Sequence, residues 1–168
     1  LITFGGSDIR NLTPLMMRII KENFPGLTLN VIVGRGFSNN QEIEAEANDR
    51  TNLIFNPDAE SIKKIMMTCD IAIASGGQTL YELACVGLPT IAITMIDNQV
   101  DDTMGFHETG FLFNAGWWND KLLKKNIITL FNSLLDDTTR KNMSIIGQKN
   151  IDGKGTIRIA KSIVDKIR

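Results

Sequence analysis

The stretch Cys69–Ile93, CDIAIASGGQTLYELACVGLPTIAI, decides the fold. An apolar run of β type, Ile71–Ala74, stops at Ser75-Gly76-Gly77. A helical pattern, Gln78–Val86, starts there. Gly87-Leu88-Pro89 halts it, and a second apolar run, Thr90–Thr94, follows. Strand, glycine turn, helix, glycine stop and strand is one turn of an alternating α/β chain.

The same alternation runs outward in both directions. Leu1–Phe4, Leu29–Val33 and Leu53–Phe55 read as further buried strands, and Phe111–Phe113 as a short sixth. Helices are predicted over about Asn11–Asn23, Asn40–Asn48, Ala59–Met67, Gln99–Glu108, Lys121–Leu135, Thr138–Ile146 and Thr156–Ile167. Continuous apolar strands suit a parallel sheet buried on both faces. The expectation is a Rossmann-like, doubly wound α/β domain of about six parallel strands with helices on both faces.

The chain's 168 residues suffice for one well-buried domain and are too few for two, so residues 1–168 are read as a single domain. A net charge of −1 gives no electrostatic pull toward nucleic acid or an anionic membrane surface. No apolar run approaches the ~20 residues of a membrane span, and no signal-peptide pattern is present. Cys69 and Cys85 read as buried free thiols of a cytoplasmic protein. With one histidine and no cysteine pair, neither a metal site nor a metal cofactor is expected. The opening LITFGG begins at once as strand and turn, without a Met, which predicts the second half of a larger protein.

In sheets of this type ligands bind beyond the carboxyl ends of the strands, so the loops there carry the functional signal. The first strand is followed by Gly5-Gly6-Ser7-Asp8. Glycines permit close backbone approach, and their N–H groups can face a phosphate. A carboxylate repels a diphosphate, so Asp8 is read as a helix cap or a contact to sugar hydroxyls. Gly34-Arg35-Gly36-Phe37-Ser38-Asn39 begins like a dinucleotide fingerprint but lacks the third glycine and follows the wrong strand. The nicotinamide, flavin and P-loop readings fall away. In Asn56-Pro57-Asp58 the residue before proline is expected to be extended and Asp58 to cap the next helix. The backbone of Phe55 and Asn56 is a candidate reader of a base edge.

The fourth loop is the informative one. Gly76-Gly77 lets the chain turn, and Gln78-Thr79 opens a helix whose first amides lack internal partners and carry the positive end of the dipole. An anion is stabilised there by both effects. Glu82, a turn further in, can accept from the two hydroxyls of a ribose; the plain alternative is a capping box. After the fifth strand, Asp97-Asn98-Gln99 offers amides suited to sugar hydroxyls, or helix caps.

GGSD, SGGQTLYELACVGLPTIAI, DNQ and the closing GQKNIDGKGTIRIAKSIV together resemble the carboxyl-terminal half of GT-B-type nucleotide-sugar enzymes. Within that group the chain resembles the UDP-sugar hydrolase of pseudaminic acid biosynthesis and related spore coat polysaccharide proteins. The lipid II-forming N-acetylglucosaminyltransferase is a broader relative. The resemblance spans nearly the whole chain. It implies two Rossmann-like halves around a cleft, this one holding UDP. The missing amino-terminal half would supply most of the catalytic groups, including a histidine that helps water attack the anomeric carbon. The family's nucleotide role maps to Gly5, Gly6 and Ser7, to Ser75, Gly76, Gly77, Gln78 and Thr79, and to Glu82 for ribose. Asn98 and Gln99 match its sugar-side motif. Asp8 departs from the small residue of the lipid II transferase loop, which favours the hydrolase side.

The function expected is the UDP-binding half of a UDP-sugar hydrolase that cleaves the bond between anomeric carbon and diphosphate with water, with no catalytic residue of its own. The alternatives are the donor domain of a glycosyltransferase and a nucleotide-binding module without catalysis. His107, with no evident orienting acid, reads as structural. Trp117 and Trp118 read as a loop after Gly116 that packs at the cleft rim or against the missing half.

Overall fold

The computed structural model describes residues 1–167. Its strands are β1 (Ile2–Thr3), β2 (Leu29–Val33), β3 (Thr51–Phe55), β4 (Ala72–Ser75), β5 (Thr90–Thr94) and β6 (Leu112–Trp117). Its helices are α1 (Leu12–Asn23), α2 (Asn40–Ala45), α3 (Ala59–Thr68), α4 (Thr79–Val86), α5 (Val100–Thr109), α6 (Leu123–Ser133), α7 (Asp137–Asn150) and α8 (Gly155–Ile167), with a single 3-10 turn at Asp97–Gln99. All six strands pair in parallel in the order β3-β2-β1-β4-β5-β6.

The two core layers follow from alternation within the strands. In β4 and β5, Ile73, Ile91 and Ile93 point to the face covered by α1 and α6, where they join Met16, Ile20, Ile127 and Phe131. Ala72, Ala74 and Ala92 point to the other face, against Leu80, Leu83 and Ala84 of α4 and Phe106 of α5. Small side chains on that side let α4 lie close to the sheet, and the bulkier isoleucines fill the opposite layer. The doubly wound arrangement is thus the one expected.

Helix ends carry their reasons. Gly87 and Gly110 stop α4 and α5 at φ +76° and +83°, a region that suits glycine. Asp58 caps α3, accepting from the Ser61 amide at 2.8 Å, and Asp136 caps α7, accepting from that of Thr139 at 2.7 Å. α7 packs across α4 so closely that a Cβ on Gly87 would stand 2.5 Å from Ser144 Oγ.

Two local expectations are corrected. Asn56 is not extended; it stands at φ 49°, a left-handed conformation that asparagine tolerates better than most residues. Trp117 does not lie in a loop; it ends β6. Between Ala92 and Thr94 of β5 the ladder shifts, so that Ala92 pairs with Asn114 but Thr94 with Trp117. The extra residue makes a bulge around Gly116, at φ +95°.

α8 differs from the other helices. None of its residues is buried, and Ile157, Ile159, Ile163, Val164 and Ile167 are all substantially exposed. Ile157, Ala160, Ile163, Val164 and Ile167 recur at helical spacing, which gives the helix an apolar stripe that stands exposed among the described residues.

Candidate nucleotide-binding crevice

The strand order reverses between β1 and β4, each of which has its other neighbour on the opposite side. The connections after these two strands therefore leave in opposite directions, and a crevice opens between them. Gly5–Asp8 forms one wall and Ser75–Thr79 the other.

Two helix N-termini face this region, and only one is free. Asp8 is buried, and its carboxylate accepts from the amides of Leu12 at 2.9 Å and Thr13 at 2.7 Å. Of its two expected roles the structure thus selects the cap, and the positive end of α1 is occupied by the chain's own anion. At α4 the first helical bond runs from Leu80 N–H to Gly77 C=O at 2.9 Å. The amides of Gly77, Gln78 and Thr79 precede it and have no intrahelical acceptor. The Gly76 amide is spent on Ile93 C=O, at 3.2 Å.

Gly76 has a separate, steric reason. A Cβ there would lie 2.0 Å from Thr103 Oγ1 and 3.1 Å from Gln99 Cβ. Its missing side chain lets α5 close over the β4–α4 turn. Gln99 is held by the Met95 amide, which donates to Gln99 Oε1 at 2.9 Å.

The crevice divides into two adjoining clefts that share Gly5, Gly6 and Thr79. The first, of about 390 Å³, is lined by Arg35, Asn56, Ile62, Met66 and Glu82 among others. The second, of about 310 Å³, is lined by Ser7, Ile9, Ser75, Gly77, Gln78 and Gln99 among others. Glu82 is not in register for a capping box. The N-cap is Gln78, so the reaching position three residues on is Tyr81, and the cap makes no side-chain bond. Tyr81 instead donates its hydroxyl to Asp102 at 2.6 Å, which raises its pKa by favouring the protonated phenol.

Of the other residues singled out in the sequence, Asn56 lines the first cleft, whereas Phe55, Asn98, His107 and Trp118 line neither. Phe55 is 44% exposed at the end of edge strand β3. The Asn56 amide donates to Val33 C=O at 2.9 Å, so it is committed to the chain. Asn98 sits exposed on the 3-10 turn. His107 is near the end of α5, with Nδ1 3.2 Å from Leu112 O. Trp118 lies under the Arg10 guanidinium, 4.3 Å from the ring centre, beside the glycine loop.

Arg35 is not singled out by the sequence, where its loop reads only as an incomplete dinucleotide fingerprint. Gly34 and Gly36 serve a different purpose: a Cβ on Gly34 would meet Gly5 O at 2.6 Å, and one on Gly36 would meet Gly6 O at 2.9 Å. These glycines seat one loop on the other. The signal in the sequence is an arginine between two glycines just beyond the carboxyl end of a predicted strand.

Comparisons with known proteins agree with this architecture. No family model matches the chain. It is 20% identical over 168 residues to the spore coat polysaccharide biosynthesis protein SpsG of Bacillus subtilis, a match that covers 98% of this chain and 49% of that protein. An uncharacterized protein of Methanocaldococcus jannaschii is 28% identical over 98 residues, covering 55% of this chain and 20% of that protein. The chain therefore spans half or less of the length of these relatives. Among solved structures, MurG of Acinetobacter baumannii superposes with a TM-score of 0.77 at 16% identity, over 98% of this chain and 48% of that one. This is a GT-B carboxyl-terminal domain fold. A UDP-GlcNAc 2-epimerase from Neisseria meningitidis, solved with UDP-GlcNAc bound, gives 0.70 at 16% identity over 98% of this chain and 43% of that one. The spinosyn rhamnosyltransferase SpnG, complexed with thymidine diphosphate, gives 0.67 at 17% over 89% and 40%. The GT-B-type domain is a distant relative of SpsG over its whole length.

Proposed function

We propose that this domain binds the UDP portion of a UDP-sugar and belongs to an enzyme that hydrolyses the bond between the anomeric carbon and the diphosphate. One observation carries the reading. At the crevice where the strand order reverses, the free amides of α4 face the Gly5-Gly6-Ser7 loop, and Glu82 lines the adjoining cleft one turn in. Amides and dipole suit the diphosphate; an acid suits a vicinal diol. Gln99 lines the second cleft, and its amide suits sugar hydroxyls. The distant likeness to a spore coat polysaccharide protein supports a role in surface-polysaccharide or nonulosonic acid synthesis.

In the reaction, water adds its oxygen to the anomeric carbon, the carbon–oxygen bond to the diphosphate breaks, and UDP leaves. This domain stabilises the charge developing on the leaving diphosphate. The attacking water is activated elsewhere, in a second Rossmann-like half. Activity, substrate and that partner half are attributes of the whole protein.

Isothermal titration tests the binding claim. UDP is expected to bind, with CDP weaker and NAD silent. Glu82→Ala is expected to weaken UDP about tenfold, the value of about one hydrogen bond to a charged group. Silence toward UDP, or unchanged affinity in Glu82→Ala, contradicts the reading.

A further inference from the structure

We propose that Arg35 is the cationic clamp of this crevice and binds the phosphate next to the ribose. The inference rests on the UDP-binding reading above and adds a residue to it.

Charge bookkeeping is the first ground. A helix N-terminus contributes roughly half an elementary charge, and that of α1 is already taken by Asp8. The α4 end alone leaves more than one unit of a diphosphate's charge unmatched. No charged side chain lines the second cleft. The first cleft holds two, Arg35 and Glu82.

Their relation is the second ground. Arg35 and Glu82 line one cavity, yet they do not pair with each other, and the ion pairs among the described residues include neither. Opposite charges held apart across a cavity fit a ligand with both an anion and hydroxyl donors. A nucleotide has both, with its first phosphate adjoining the ribose.

The third ground is positioning. The Gly36 amide donates to Gly6 C=O at 2.9 Å, and the Gly34 and Gly36 backbones lie flush against Gly5 and Gly6. The loop carrying Arg35 is thereby fixed on the loop that borders both clefts. A guanidinium there can present its fork to two phosphate oxygens, which an ammonium cannot.

The test uses the chain with Arg35→Ala and Arg35→Lys against UDP, UMP and uridine. Titration calorimetry serves the nucleotides, and ligand-observed NMR serves the weaker nucleoside. Arg35→Ala is expected to weaken UDP and UMP by about tenfold and to leave uridine unchanged; Arg35→Lys falls between. The salt dependence of UDP binding becomes shallower in Arg35→Ala. Because Arg35 is exposed, both variants should melt with the parent. If the parent binds UDP and Arg35→Ala changes it less than twofold, or weakens uridine equally, the clamp is refuted while the binding reading stands. If the parent binds no nucleotide, both fall.

Discussion

At the residue scale, Gly76 and Gly77 look interchangeable in sequence and differ in structure. A Cβ on Gly76 meets Thr103 Oγ1 at 2.0 Å, whereas one on Gly77 meets nothing nearer than 3.7 Å. Gly76→Ala is therefore expected to cost about 1–3 kcal/mol by forcing α5 off the β4–α4 turn. Gly77→Ala is expected to cost less. Urea unfolding of the two variants checks the order; equal losses would contradict it. The pair also shows what was legible beforehand. The need for glycine at this turn was readable, because it followed a strand and opened a helix. The partner Thr103, more than twenty residues on, was not, because only the closure of α5 brings it there. Asp8 is similar: its sequence context left cap and sugar contact open, and burial against the amides of Leu12 and Thr13 decided for the cap.

At the element scale, capping carboxylates make testable contributions. Asp8→Ala removes the acceptor for two α1 amides and is expected to lower stability by about 1–2 kcal/mol, with an unchanged denaturant slope. Asp58 is held below the ordinary carboxylate range chiefly by the hydrogen bond from the Ser61 side chain, and Asp136 by that from the Thr139 amide. For such groups the unfolded chain binds more protons, so stability rises with pH between the folded and unfolded values. Their contribution is whole above about pH 4 and is lost as pH falls through the lower, folded values. A urea midpoint that drops on acidification below pH 4, and drops less in the double variant Asp58→Ala/Asp136→Ala, is the expected result. An equal acid dependence would exclude the caps as its source. Strands and helices were the most legible level, since apolar runs and glycine stops are local signals. Two features escaped. The bulge at Gly116 depends on register against β5, and the left-handed Asn56 depends on the turn geometry after β3 rather than on the proline that follows.

At the scale of the whole molecule, α8 stands apart by its exposed apolar stripe. The helix buries none of its residues, so Ile163→Asp is expected to leave the melting temperature within about a degree of the parent, where a core substitution would shift it by several. The same variant should reduce self-association in sedimentation velocity, because a contiguous apolar stripe is removed. A large loss of stability would mean that α8 packs on this domain after all. The central claim is that the crevice between β1 and β4 holds a nucleotide diphosphate on the free amides of α4. Amide NMR during a UDP titration observes those groups directly. The account predicts the largest shifts at Gly5, Gly6, Gly77, Gln78 and Thr79, with Leu12 and Thr13 at the Asp8-capped end of α1 moving little. No shifts on UDP addition, or shifts gathered at the amino ends of the strands around Leu29 and Asp70, would contradict it.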